Sequence, residues 1–142
     1  MPYATHTEDV EASPGTIWRL LVDKIENPQP YVPGVRSVEI LERSADSVLR
    51  HMVTEQLDLT ERITRDARRL EIVFTLVDHP RYAGSVTNRI EPGETGNRSR
   101  LTFTIDWHEV GSRDAGGEHL HGVLRDAVRQ TKDLAEAADR SG

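Results

Sequence analysis

Between Val35 and Glu109 apolar and polar residues alternate with a period of two, in six successive runs. The runs are Val35–Arg43, Ser47–Glu55, Leu57–Arg65, Arg69–Val77, Ser85–Glu91 and Ser99–Glu109. That period belongs to half-buried strands. Turn-forming residues fill most of the gaps: Ser44-Ala45-Asp46, Asp66-Ala67, the segment Asp78–Gly84, and Pro92 to Asn97. Parallel neighbours need a dozen or more connecting residues, so gaps this short commit the runs to antiparallel pairing. Only Gln56 separates the second and third runs, which leaves a bulge or one bent strand open there.

The flanks carry different signals. Tyr3–Val10 is threonine-rich and reads as a first strand. Ser13-Pro14 is a helix cap followed by a first-turn proline, and Ile17, Trp18, Leu20, Leu21 and Ile25 follow at helical spacing. Asn27-Pro28 ends that helix, because proline lacks the amide donor and crowds the residue before it. The proline-bearing stretch from Asn27 to Gly34 is a turn or loop. From near Asp114, residues Leu120, Val123, Leu124, Ala127, Val128, Thr131, Leu134 and Ala135 form one apolar stripe. A helix of roughly 22 residues is about 33 Å long, enough to cross a whole sheet. The order predicts an α+β fold with a seven-stranded antiparallel sheet and one long covering helix.

A length of 142 residues predicts a single domain, 1–142, with a core that requires no staples. Eighteen basic against twenty-four acidic residues leave a net charge of −6, which argues against nucleic-acid binding. The chain has no cysteine, so thiol catalysis and zinc–thiolate sites are excluded. No run reaches the length of a membrane span, and Glu8 and Asp9 interrupt any leader-like segment. A cytoplasmic protein is expected.

The segment Ala12-Ser13-Pro14-Gly15-Thr16-Ile17-Trp18-Arg19-Leu20-Leu21 resembles the strand-to-helix entry of the SRPBCC superfamily, and Tyr31-Val32-Pro33-Gly34-Val35 resembles that family's next loop. Glu26-Asn27-Pro28, Val53-Thr54-Glu55 and Gly84-Ser85-Val86-Thr87-Asn88 are similar to its AtaL-like group. The superfamily includes START domains, birch-pollen-allergen-like proteins and polyketide cyclases. The resemblance implies a helix-grip fold, a curved sheet wrapped around the C-terminal helix, with an internal ligand cavity between them. It supplies a fold and a cavity more than a reaction.

Strand alternation selects the side chains that face such a cavity. Leu101, Phe103, Ile105 and Trp107 share one side, and Val86, Asn88 and Ile90 share another. Ile72, Phe74 and Leu76 are expected inward, and Leu57, Leu59 and Ile63 bring Glu61 with them. Leu49 and Val53 share a face with His51 and Glu55. A carboxyl group in such a row is costly unless it is paired or protonated, and burial tunes it toward general acid–base work. Glu61 and His51 are therefore the candidate catalytic residues. Glu55, Asn88, Phe74, Trp107, Phe103, Tyr31 and Leu124 are candidates for ligand contact. The competing reading gives these polar groups structural hydrogen bonds, Trp107 a place in core packing, and Tyr31 an exposed turn position.

Glu118 and His121 are spaced like half of a carboxylate–histidine metal site, but no second half exists and His119 points elsewhere on a helix, so no metal is expected. No phosphate loop, dinucleotide fingerprint or hydrolase elbow occurs, and no cofactor is expected. The expected partner is a hydrophobic small molecule, bound by a monomer or homodimer. Two functions stay open: a polyketide cyclase, aromatase or dehydratase-like enzyme, and a non-catalytic carrier. A co-chaperone-like interaction module is the weaker third.

Overall fold

Proline at the first helical position and a serine before it start α1 (Pro14–Glu26) where the sequence places it. Ser13 Oγ accepts a hydrogen bond from the Thr16 amide, satisfying one of the open donors of the first turn. The computed structural model describes residues 3–32, 34–55, 57–110 and 117–141. Around α1 it contains β1 (Tyr3–Val10), β2 (Val35–Arg43), β3 (Ser47–Thr54), β4 (Asp58–Asp66), β5 (Glu71–Leu76), β6 (Tyr82–Pro92), β7 (Ser99–Glu109) and α2 (Gly117–Ser141). The expected helix start near Asp114 lies outside the described residues, as do the side chains of Glu118, His119 and His121.

The seven strands form one antiparallel sheet in the order β1-β7-β6-β5-β4-β3-β2. First and last strands pair along their length, from Tyr3 against Asp106 to Val10 against Ser99. β1 and β2 therefore occupy opposite edges, and α1 with its proline-bearing loop carries the chain between them. α2 lies on β1 and β7 and meets α1. Its buried stripe is Leu124, Val128, Thr131 and Ala135. Burying each large apolar side chain stabilises the fold by about 1.5–3 kcal/mol.

Two boundaries follow from local chemistry. Thr54 Oγ1 accepts from the Leu57 amide at 2.9 Å and the Thr54 amide donates to Leu57 O at 2.7 Å. A closed turn, rather than one bent strand, thus joins β3 to β4. β6 starts at Tyr82 instead of Ser85 and keeps Gly84 inside the strand, opposite Trp107. Gly84 has φ +122°, and a Cβ there would lie 2.0 Å from Asp106 O. Only glycine permits that approach. Upstream, the His79 ring nitrogen accepts the amides of Arg81 and Tyr82, which closes the turn more tightly than composition suggests.

Candidate functional site

The inner face of the sheet is apolar except for a compact set of buried polar side chains. Val48, Arg50 and Met52 face inward from β3; Leu59, Glu61 and Ile63 from β4; Asn88 and Ile90 from β6. Arg50 and Glu61 are direct register partners across β3 and β4. Arg50 Nη2 donates to Glu61 Oε1 at 2.8 Å, and Nη1 donates to the carbonyls of Ile25 at 2.9 Å and Lys24 at 3.3 Å. The guanidinium thus ties β4 to the last turn of α1, where unsatisfied carbonyls gather and favour a cation.

Lys24 completes the cluster. It lies on the same helical face as Ile17, Leu21 and Ile25, and is 7% exposed. Its ammonium nitrogen donates to Asn88 Oδ1. The nitrogen stands 4.4 Å from the Phe103 ring centroid and 5.2 Å from that of Phe74. The Arg50 guanidinium lies 5.6 Å from the same Phe74 ring. Two cations therefore share one aromatic ring, while the carboxylate of Glu61 pairs directly with only one of them. Burial, reinforced by Arg50, pushes the Lys24 amine down to about 7 against a smaller opposing pull from Glu61.

Two buried donors, Arg50 Nε and Trp107 Nε1, have no hydrogen-bond partner among the described residues. Trp107 stacks obliquely on Tyr82 at 5.3 Å, and Tyr82 in turn meets His79 at 5.4 Å. Tyr31 is buried rather than exposed on the turn, and its hydroxyl donates to Asp23 Oδ2 at 3.1 Å. Burial and that carboxylate push the phenol up to about 12.

A family model of the acetylaranotin biosynthesis cluster protein L, AtaL, matches residues 5–139. The chain belongs to the AtaL family. Among solved structures, this AtaL-family chain is similar to a Thermus thermophilus protein at 18% identity and TM-score 0.77, covering 96% of this chain and 99% of that one. It is also similar to the Zhui aromatase/cyclase from a Streptomyces species at 18% identity and TM-score 0.69, covering 98% and 91%. A START superfamily protein from Mycobacterium smegmatis follows at 14% identity and TM-score 0.68, covering 98% and 97%. No curated protein matches. The helix-grip, SRPBCC-type fold is thereby established, and identities this low carry the fold alone.

Within the AtaL-family sheet, Glu61, Asn88, Phe74, Phe103 and Trp107 face the interior, and Leu124 covers it from α2. His51 and Glu55 do not join them. β3 has apolar residues on both faces, Val48 and Met52 against Leu49 and Val53, so hydrophobicity leaves its phase open. The phase adopted puts Arg50 opposite Glu61, and a one-residue difference sends His51 to the outer face. There its ring bonds Asp58 at 2.6 Å. Glu55 is exposed beyond the end of β3, its side chain against Gly34. Leu57 is only half-buried and precedes β4.

Lys24 and Arg50 were absent from the sequence-based candidates. One signal pointed to Lys24. Of eighteen basic residues only Lys24 and Lys132 are lysines, and Lys24 continues the apolar stripe of α1. A cleft of about 670 Å³ also opens on the outside, between Trp18, Val22 and the turns around Asp46 and Asp66. It touches none of the inner-face polar residues. No group of three metal-ligating side chains occurs among the described residues, and no described helix is long and apolar enough to cross a membrane.

Proposed function

We propose that a hydrophobic or aromatic small molecule carrying a carbonyl group binds between the curved sheet and its helices, and that the chain acts on it as a polyketide cyclase or aromatase-like enzyme. The observation that carries this reading is the Lys24–Asn88 and Arg50–Glu61 cluster, embedded between Phe74 and Phe103 in an otherwise apolar interior. A core needs no such group for stability, since apolar replacements of buried ion pairs are often neutral or better.

In this reading the aromatic rings hold the planar part of the ligand. The Arg50 Nε–H, buried and unpartnered, stabilises the negative charge that develops on a carbonyl oxygen as a neighbouring carbon loses its proton. In this proposal Glu61 is the carboxylate that takes that proton. His51, on the outer face, has no part in it. The fold shared with the Zhui aromatase/cyclase is compatible with this type of reaction.

The test has two stages. A panel of aromatic ketones and β-diketones is screened by thermal shift, where a ligand at 100 times its Kd adds about 2.7 kcal/mol to stability. Exchange of the ligand's α-hydrogens with deuterated water is then followed by NMR for the native chain and E61Q. Retained binding with lost exchange in E61Q supports the enzyme. Binding with no exchange in either protein leaves a carrier, and no binding across the panel overturns the proposal.

A further inference from the structure

Lys24 is a buried lysine in a chain that otherwise relies on arginine. The chain uses arginine at sixteen of its eighteen basic positions, and Lys132, its other lysine, lies on α2 with contacts to Asp9 O and Glu136. Inside the core, where arginine is the usual choice for a permanently charged group, it carries a lysine. Its hydrogen bond goes to a neutral amide, while Glu61 is taken by Arg50. Burial and a guanidinium nearby favour the neutral amine, against the two aromatic faces, which attract the ammonium. A neutral, buried primary amine beside apolar rings is a nucleophile toward carbonyl carbon.

We infer that Lys24 forms an imine with the carbonyl of the bound ligand, so that catalysis or capture is covalent. This rests on the ligand class proposed above and adds the bond. The lone pair of Nζ attacks the carbonyl carbon and the C=O π electrons move to oxygen. That oxygen gains protons and leaves as water, and the nitrogen ends doubly bonded to carbon. With a β-diketone the product tautomerises to a conjugated enaminone. No oxidant, reductant or metal enters the balance. A protonated imine withdraws electrons from the carbon next to the C=N carbon, which is where Glu61 would remove a proton. The depressed affinity of Lys24 for its proton supports the same assignment, since about half the amine is free near neutrality. An ordinary lysine offers roughly one part in a thousand to several thousand.

The probe is benzoylacetone, an aryl β-diketone whose amine adducts absorb in the near ultraviolet. Intact mass and peptide mapping should show one adduct, the mass of the diketone less one water, at Lys24. Its formation at pH 7.5 should outpace the reaction of benzoylacetone with free Nα-acetyllysine by at least ~100-fold. K24R and K24M should lose the adduct, and an adduct that persists elsewhere in either variant at the native rate overturns the assignment to Lys24. K24R keeps a cation and K24M an apolar chain of similar length, so at least one folded variant is available for comparison. A thermal shift in the native chain without an adduct at Lys24 overturns the imine and leaves the binding proposal standing. Modification only at Lys132 or the chain's terminal amine overturns it equally. Absence of both shift and adduct removes the ligand class on which the inference rests.

Discussion

Arg50 and Glu61 stand directly opposite each other on β3 and β4 and close a 2.8 Å ion pair that is almost wholly buried. Arg50 is held by more than Glu61, because it also bonds two carbonyls at the end of α1. The pair therefore couples sheet and helix, and its parts should not behave additively.

Removing one partner strands a charge in the interior. R50M and E61L should each destabilise the fold by about 3–5 kcal/mol, while the R50M/E61L double variant should lose much less than the sum. Urea unfolding of the four proteins reads this directly. Additive losses would mean the two side chains are energetically independent.

Lys24 makes stability depend on pH in a defined direction. Its amine has an ordinary value of 10.5 and falls to about 7 in the fold. Between those values the unfolded chain binds the proton and the native chain does not, so stability rises with pH across this window. Below about 7 both states are protonated and the contribution is flat at its lowest. The native chain should gain up to about 2–3 kcal/mol relative to K24M between pH 7 and pH 9, measured by urea unfolding at both. Tyr31, pushed up to about 12, adds pH dependence only above the range used.

Gly84 should tolerate no side chain. G84A places a methyl group 2.0 Å from Asp106 O at φ +122°. We expect a loss of at least ~2 kcal/mol in thermal or urea unfolding, since strain at such a site adds to the clash. An unchanged midpoint would mean that β6 and β7 move apart at no cost.

His51 offers the converse case. H51Q alters a side chain on the outer face, bonded to exposed Asp58, and should leave stability within about 0.5 kcal/mol. Ligand affinity and α-hydrogen exchange should match the native chain. N88L, by contrast, removes the acceptor for Lys24 and should change both, so the two variants measured side by side locate the chemistry inside or outside the sheet.

How much of this was readable beforehand varies element by element. β7 was unambiguous: Leu101, Phe103, Ile105 and Trp107 alternate with polar residues, and all four are buried. Asn88 and Glu61 were placed correctly because their strands have one apolar face. β3 was not, because Leu49 and Val53 match Val48 and Met52 in hydrophobicity. The phase adopted sets Arg50 opposite Glu61, a residue on another strand. Gly84 read as turn chemistry because a glycine suggests a break, whereas here it lets two strands approach.

Local pattern alone determined the succession of elements, the capped start of α1, the antiparallel sheet and the apolar stripe of α2. These depend on neighbours three or four residues away, or on alternation along one strand. The tertiary structure decided the polar heart of the molecule. Lys24 continues the apolar stripe of α1, and its partners there, Asn88, Phe74 and Phe103, come from strands far along the chain. Periodicity records which side of an element is buried, but the electrostatic partners met there are set by residues distant in the chain.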